Sequence, residues 1–331
     1  VAIVSVLLVV VVLYSSTDNV NELSPSFSSS LLEDCRLPTT TTTRSSGSSN
    51  HKSNSQVSPS SIGDKWSQVI DGLRPAMEPY REAARNKLTA AIDRDLVCQS
   101  EGTNKKIYMG DCFDDDPFSD IEPFVPLAPP LIRKGNGENE KTIVDPALMK
   151  SKEDCLLYAV GISTDSEFEQ LMAPFCTIHA FDCTITEEEP SVKDQDFAFH
   201  QICIGDSQGA LTGTTWVKDN RTLVFNSLQE VMKDLGHDQI DYLKFDVEGS
   251  EWTMFESILE LPHHTLPRQI NFEMHTEGAN EGAVSPVLVE GKRRKAVNEV
   301  ILRFLNVGYC ILDIERNPID NKCAEFTLLL M

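Results

Sequence analysis

The stretch that decides the fold is residues 240–252, which read IDYLKFDVEGSEW. The mostly apolar stretch Ile240–Phe245 is typical of a buried β-strand, and Ser250–Leu261 has the residue spacing of a helix. Gly249 lies between the two elements and permits a tight turn. A buried strand that leads through such a turn into a helix is part of a βαβ unit, so this stretch predicts a parallel sheet.

The same alternation of strands and helices extends outward over the segment from Cys155 to Met331. Further strands are predicted at Cys155–Val160, Thr177–Phe181, Phe197–Ile204, Gln269–Met274, Tyr309–Ile314 and Ala324–Leu330. Further helices are predicted at Asp165–Met172, Ser227–Leu235 and Arg293–Asn306. This pattern predicts an α/β fold with a Rossmann-like, mostly parallel sheet, closed by a C-terminal antiparallel hairpin. Cys310 and Cys323 flank that hairpin and could face each other.

The segments before this domain differ from it in composition. Residues 1–14 are apolar except for Ser5, which is typical of a signal peptide or, with further residues upstream, a membrane anchor. Residues 15–63 are rich in Ser and Thr and predict a disordered stalk. Residues 64–150 predict a helical and loop extension, with a helical pattern that Pro75 interrupts, and residues 151–331 form the α/β domain.

This layout predicts a single-pass membrane protein or a protein of the secretory lumen, as in Golgi enzymes, with the membrane contacted through the apolar segment. A buried strand for residues 1–14 and a plain linker for residues 15–63 are the alternatives. The 331 residues carry a net charge of −22, which disfavours a nucleic acid partner because phosphate binding needs a basic surface. A small neutral or cationic substrate is easier to reconcile with that charge.

Open parallel sheets bind ligands where their strands end, so the residues that follow each predicted strand are candidate site residues. Gly161 and Ser163 follow the first strand, and Asp182 follows the second, about twenty residues after the glycine, where a ribose-binding acid belongs. Asp206 follows the third strand and could accept a hydrogen bond from an adenine amino group. Turns and helix caps are the structural alternatives for all four residues, and the missing G-x-G-x-x-G pattern argues against a dinucleotide.

The candidate catalytic residues follow the two central strands. Asp246 and Glu248 stand at the end of the strand in residues 240–252, where a pair of carboxylates can bind a cation, orient a hydroxyl or act as a general base. Glu273 and His275 share one side of the next strand, and His275 is a candidate base because imidazole titrates near neutral pH. Helix capping and a structural histidine are the alternatives. These oxygen ligands could hold a divalent metal, although no spacing rule signals one.

The stretch DYLKFDVEGSEW at 241–252 resembles a motif of FkbM-like methyltransferases. The wider pattern is similar to a methyltransferase-like domain family, through LLYAVGI at 156–162, Phe181-Asp182, QINFEMH at 269–275, and Asn317-Pro318 with CAE at 323–325. The resemblance covers Cys155 to Met331. One departure is the first loop, where the usual glycine-rich sequence is reduced to Gly161.

The resemblance implies a seven-stranded Rossmann-like fold that binds S-adenosylmethionine. Gly161 would then lie under the cofactor, Asp182 would bind its ribose, and Asp246 would face the methyl group and the acceptor. FkbM-like relatives often methylate hydroxyls of sugars or natural products, so methyl transfer to a hydroxyl oxygen of a glycan or small molecule is expected. A non-catalytic binding protein and an NAD-dependent oxidoreductase are the rival interpretations.

Overall fold

The computed structural model describes residues 64–101, 116–124, 131–134, 140–146, 155–205, 223, 225–279 and 284–331. The segments predicted as signal peptide or anchor and as stalk lie outside these residues, as does Asp206. None of the helices within the described ranges is long and apolar enough to cross a membrane.

The domain alternates strands and helices along most of its length. The strands are β1 (Leu131–Lys134), β2 (Lys141–Val144), β3 (Leu156–Val160), β4 (Thr177–Phe181), β5 (Ala198–His200), β6 (Cys203–Ile204), β7 (Phe225–Asn226), β8 (Tyr242–Phe245), β9 (Gln269–His275), β10 (Tyr309–Arg316) and β11 (Cys323–Leu330). The helices are α1 (Asp64–Glu101), α2 (Glu167–Met172), α3 (Leu228–Leu235), α4 (Glu251–Leu259), α5 (Pro286–Val289) and α6 (Arg294–Val307).

Seven strands form the central sheet, in the order β5-β4-β3-β8-β9-β11-β10. The pairs β3–β4, β3–β8, β4–β5 and β8–β9 are parallel, whereas β11 runs antiparallel to both of its neighbours. The predicted Rossmann-like, mostly parallel sheet with a C-terminal antiparallel hairpin is therefore confirmed. The chain leaves β3 in one direction across the sheet and returns at β8 on its other side, so the strand order reverses between these two strands.

Both faces of the sheet are buried, so apolar residues of β3 and β8 contribute to a core on each side. Tyr158, Leu243 and Phe245 belong to the core beneath α3, α4 and α6. Leu157 and Tyr242 point to the opposite face, where they pack with residues of α1, α2 and β2. This alternation of neighbouring residues between two cores is the pattern expected of strands covered on both sides.

Helix α1 is continuous through Pro75 and Pro79, so the predicted interruption at Pro75 is wrong. Both prolines lie on the exposed side of the helix, where carbonyls that lose an N–H partner can bind water. On the other side, Trp66 and Met77 are buried in the core on either side of Pro75. Tertiary burial therefore holds the two parts of the helix in line.

Strands β1 and β2 form a hairpin that the sequence patterns did not reveal, and it packs on the central sheet. Lys141 of β2 forms an ion pair with Glu325 of β11. The Thr142 carbonyl accepts a hydrogen bond from the Asn271 side chain (2.8 Å), and the Val144 carbonyl accepts one from the Tyr242 hydroxyl (2.7 Å). These contacts attach part of the extension directly to β8, β9 and β11.

The cysteines within the described ranges pair differently from the sequence expectation. Disulfides join Cys155 to Cys176 and Cys183 to Cys203, with Cα–Cα distances of 4.5 and 4.9 Å. Cys310 and Cys323 are free and buried. They do not face each other, because Cys310 lies opposite Leu329 in the hairpin register and Cys323 lies opposite His275 of β9.

The predicted strand Phe197–Ile204 is two short strands, so its predicted extent is wrong. β5 continues the central sheet beside β4, but β6 leaves it and pairs in parallel with β7. The Ile202 amide donates to the His200 carbonyl, which closes a tight turn between the two strands (2.9 Å). The turn directs β6 toward the strand ends where the order of the sheet reverses.

Three histidines meet at the β4–β5 edge of the sheet and make a testable contribution to stability. His179 Nδ1 lies 2.9 Å from His200 Nε2, and His237 Nδ1 lies 2.6 Å from the Tyr158 hydroxyl. Burial, together with the other two imidazoles, lowers the pKa of His179 to about 4, and burial lowers the pKa values of His200 and His237. The folded protein therefore holds these rings neutral where the unfolded chain would protonate them.

We expect the free energy of unfolding to fall by about 1 kcal/mol between pH 7 and pH 5, a value discounted for partial exposure. The sign follows because the unfolded histidines take up protons near pH 6.5 while the folded ones do not. Urea unfolding across this range measures the effect. The slope should flatten in His179→Gln and persist in His264→Gln, which alters an exposed histidine; an equal slope in both variants would contradict the assignment.

Candidate active site

A cavity of about 320 Å³ opens where the order of the strands reverses. It is lined by residues that follow β3, β4 and β8, together with residues of β6 and β7. Ligand sites of open parallel sheets occur at this position, and the volume is within the range of small-molecule pockets. The cavity is therefore the candidate active site.

Gly161 directly follows β3 and lies against the backbone that follows β8. Its φ is +75°, and a Cβ placed on it would overlap the carbonyl of Asp246 and lie 3.1 Å from Val247 Cγ1. No other residue type fits this crossing without moving one of the two chains. The Gly161 carbonyl accepts a hydrogen bond from Lys244 Nζ (2.9 Å). The loop that follows β3 is therefore attached to β8 by this bond as well as by the close backbone contact.

Asp182 follows β4 and holds the first loop in place. Its Oδ2 accepts the Ser163 amide (2.8 Å), and its Oδ1 accepts the amide (2.8 Å) and hydroxyl (2.6 Å) of Thr184. A carboxylate offers about four acceptor positions, so these bonds leave about one of them for a ligand. Ser163 has a φ of 53°, and its carbonyl accepts the Ser191 hydroxyl (2.7 Å), which fixes the loop further.

One wall of the cavity is apolar. Ile202, Ile204 and Phe225 line it, beside the disulfide between Cys183 and Cys203. Such a surface can pack against the face of a flat heterocycle. No sequence pattern indicated this apolar wall, because pairing of the two cysteines depends on how β4 and β6 are placed in three dimensions.

Lys244 is a buried cation that sequence reasoning missed. Its Nζ lies 3.6 Å from Glu169 Oε1 and lines the cavity. Burial alone would lower the pKa of Lys244, but Glu169 and Asp246 outweigh it and raise the pKa. A lysine in the middle of an otherwise apolar strand was the available signal, because a buried charge is retained only with partners.

Glu251 organises the turn after β8 and was also missed. Its side chain is fully buried; Oε1 accepts the Val247 amide (2.8 Å) and Oε2 accepts the Gly249 amide (2.9 Å). The turn between them is unusual, since Glu248 has a φ of 52°. The available signal was the acid at the start of a predicted helix, where side-chain oxygens bind free amides.

Asp246, Glu248, Glu273 and His275 converge at the ends of β8 and β9. His275 is 4% exposed; its Nε2 lies 3.4 Å from Glu248 and 3.7 Å from Glu273, and its Nδ1 lies 3.2 Å from Glu251. Asp246 Oδ1 is buried and has no hydrogen-bond partner in the described part of the chain. These acids thus surround one imidazole.

The charges in this cluster shift one another's titration. Burial and the charge of Asp246 raise the pKa of Glu248 to about 7 and the pKa of Glu273 to about 8. Burial alone would lower the pKa of His275, but Glu251 and its other neighbours raise it well above the usual value. The cluster therefore has more negative charge than its imidazole can balance.

Five of the predicted site residues, Gly161, Ser163, Asp182, Asp246 and Glu248, line the one cavity. Glu273 and His275 do not line it but lie behind Asp246 and Glu248. Asp206 is outside the described residues, so its predicted place beside a ligand stays a prediction.

Part of the chain is similar in sequence to known proteins. Residues 130–330 match the family described as "Methyltransferase domain". A 127-residue segment is 28% identical to "Probable methyltransferase-like protein 24" of Homo sapiens, over 37% of this chain and 33% of that protein. The protein of the same name from Rattus norvegicus matches to the same extent. The matching segment thus spans about one third of the length of these relatives.

Solved structures with some similarity include an rRNA methylase from Streptococcus thermophilus, at 9% identity and a TM-score of 0.33, over 55% of this chain and 89% of that one. Another is N-methyltransferase NodS from Bradyrhizobium japonicum in complex with S-adenosyl-L-homocysteine, at 8% identity and a TM-score of 0.30, over 53% and 78% of the two chains. The fold assignment rests on the strand order described above.

Proposed function

The chain belongs to the methyltransferase domain family that its residues 130–330 match, and from that premise we propose that it transfers a methyl group from S-adenosylmethionine to a hydroxyl oxygen of a glycan or small molecule. The observation that carries the proposal is the cavity itself. Its lining brings Gly161 and Asp182, which follow β3 and β4, together with the carboxylates of Asp246 and Glu248, which follow β8.

The residues around the cavity fit a nucleoside cofactor. Asp182 has about one acceptor position left, which suits a ribose hydroxyl. The apolar wall of Ile202, Ile204 and Phe225 suits the face of adenine. The carboxylates at the far end, Asp246 and Glu248, would favour a positively charged sulfonium group near the acceptor.

The cofactor supplies a methyl group on a positively charged sulfur that leaves readily, so the protein mainly has to position the acceptor. Asp246 would accept the hydrogen bond of the acceptor hydroxyl and take its proton as the O–C bond forms and the C–S bond breaks. We assign this role to Asp246 rather than to His275, because Asp246 lines the cavity and His275 lies behind it. Lys244 would hold the loop after β3 through the Gly161 carbonyl, and Glu251 would hold the turn after β8 through the Val247 amide.

Isothermal titration calorimetry of the folded chain tests the cofactor assignment. We expect S-adenosylmethionine and S-adenosyl-L-homocysteine each to bind at one molecule per chain, and NAD not to bind. Binding of NAD alone would favour an oxidoreductase, and binding of none of the three would reject the nucleoside pocket. Transfer of a labelled methyl group to hydroxyl-bearing acceptors, compared with amine-bearing ones of similar size, then tests the acceptor class.

One observation favours a second candidate, a protein that binds the cofactor without turnover. Protein donors already take up most of the Asp182 carboxylate, and the first loop carries a single glycine. Cofactor binding without methyl transfer to any hydroxyl acceptor would support this candidate.

We further propose that the protein works in the secretory pathway, anchored through the apolar residues 1–14, and does not bind nucleic acid. Two disulfides support an oxidising compartment, because such bonds are rare in reducing ones. The net charge of −22 supports the absence of a nucleic acid partner. Non-reducing peptide mapping of protein recovered from cells should find both bridges; free thiols at these four cysteines would contradict the proposed location.

A further inference from the structure

We propose that Glu248, Glu273 and His275 bind a divalent transition-metal ion, Zn²⁺ or Mn²⁺, beside the cavity. Its catalytic role rests on the proposed function, whereas the binding itself can be tested separately. The three side chains come from the turn after β8 and from the end of β9, so the sheet brings them together independently of any ligand.

The distances within the cluster suit a shared metal better than hydrogen bonds. His275 Nε2 is 3.4 Å from Glu248 Oε2 and 3.7 Å from Glu273 Oε2, which is longer than a normal hydrogen bond. Two donor atoms that each lie ~2.1 Å from one tetrahedral ion are about 3.4 Å apart. Each carboxylate oxygen therefore lies at about the separation from the imidazole nitrogen that two ligands of one ion have.

The other imidazole nitrogen is held in the way that metal-binding histidines require. Nδ1 of His275 lies 3.2 Å from Glu251 Oε1, and Glu251 is itself fixed by the amides of Val247 and Gly249. A carboxylate on Nδ1 orients the ring and directs Nε2 toward the metal, an arrangement found in many zinc sites. His275 is 4% exposed, so this orientation is fixed by packing.

The surroundings of the three ligands independently favour a cation. Glu273 lies directly opposite Glu325 across the β9–β11 pair; Lys141 pairs with Glu325, whereas Glu273 has no lysine or arginine partner within the described residues. One oxygen of Asp246 and one of Glu325 are buried without a hydrogen-bond partner in the described part of the chain. Cys323 supplies a further donor atom, since its Sγ lies within 4.8 Å of donor atoms of Glu273 and His275.

The donor set indicates which ion would bind. One imidazole nitrogen with two carboxylate oxygens suits Zn²⁺ or Mn²⁺, whereas Mg²⁺ prefers oxygen and water ligands. An ion here would lie next to Asp246, which lines the cavity, and could polarise the acceptor hydroxyl. Methyl transfer would then depend on the metal, although the metal would not contact the cofactor-binding loop at Gly161.

Calorimetric titration of metal-stripped protein with ZnCl₂, MnCl₂ and MgCl₂ tests the proposal. We expect one Zn²⁺ or Mn²⁺ per chain and at least about 100-fold weaker binding in Glu273→Gln and in His275→Gln. Glu277→Gln is the matched control, because Glu277 is an acid just beyond β9 that pairs with Arg293 instead. Glu248→Gln, at a partly exposed position, provides a second ligand variant if His275→Gln fails to fold.

No binding of Zn²⁺ or Mn²⁺ by the folded wild-type protein would overturn the proposal, as would binding of Mg²⁺ alone or equal binding by Glu273→Gln and Glu277→Gln. Binding of S-adenosylmethionine is measured on the same metal-stripped sample. If the cofactor binds and the metals do not, only the metal site is rejected. If the metals bind and the cofactor does not, the proposed methyl transfer fails and the metal site stands.

Discussion

Gly161→Ala is expected to abolish binding of S-adenosylmethionine and to lower the free energy of unfolding by about 3 kcal/mol. The added Cβ would occupy the space of the Asp246 carbonyl, and the residue would keep a left-handed φ of +75°. This overlap is removed only if the loop after β3 moves away from β8. Because that loop carries Ser163 and lines the cavity, the cofactor site would move with it.

Gly236→Ala is the matched control for this variant. Gly236 has nearly the same φ, +74°, but nothing lies within 4 Å of the position that a Cβ would take. It should lose about 1 kcal/mol from the left-handed backbone alone and bind the cofactor normally. Chemical unfolding and calorimetry on both variants separate backbone strain from steric overlap. A Gly161→Ala protein that binds like the wild type would refute the close crossing of β3 and β8.

Asp246→Asn is expected to lower the rate of methyl transfer by about 10²- to 10⁴-fold. The affinity for S-adenosylmethionine should fall far less, because Glu248 still places a carboxylate near the sulfonium. The substitution keeps the shape of the side chain but removes the proton acceptor that faces the cavity. Release of S-adenosyl-L-homocysteine under saturating cofactor and acceptor measures the rate. Asp238→Asn, at an exposed acid after α3, is the control and should keep full activity.

A rate in Asp246→Asn close to that of the wild type would exclude Asp246 as the proton acceptor. A fall in cofactor affinity that matches the fall in rate would instead show that Asp246 serves binding, because a residue that acts only in the transition state lowers kcat without raising the dissociation constant of the cofactor.

Much of the fold could be predicted because residues on one face recur at every second position in a strand and at every third or fourth position in a helix. Ile240–Phe245 is mostly apolar, and Gln269–Met274 alternates polar and apolar residues at the period of a strand. The hairpin of β1 and β2 was not predictable, since strands of four residues carry too little pattern. The split between β5 and β6 depends on one tight turn near His200, which the composition of the segment does not reveal.

The site residues that could be predicted are those whose position along a strand determines where they lie in the fold. Asp182, Asp246 and Glu248 come directly after strands, and parallel strands bring such residues to one edge. The partners of those residues were less accessible: Glu251 binds amides of a turn whose shape depends on Glu248 having a positive φ, and Lys244 meets Glu169 only after α2 packs on the sheet. Long-range pairing of this kind has no local sequence signature.

The insertion of β11 between β9 and β10 has a consequence for synthesis of the chain. β9 and β10 are both made before β11, and each must wait for it with one row of backbone hydrogen-bonding groups unsatisfied. Open strand edges of this kind can recruit other chains. Any product that stops before Cys323 would keep those edges permanently, so a short truncation would be removed as an aggregate by quality control rather than survive as a weakened enzyme.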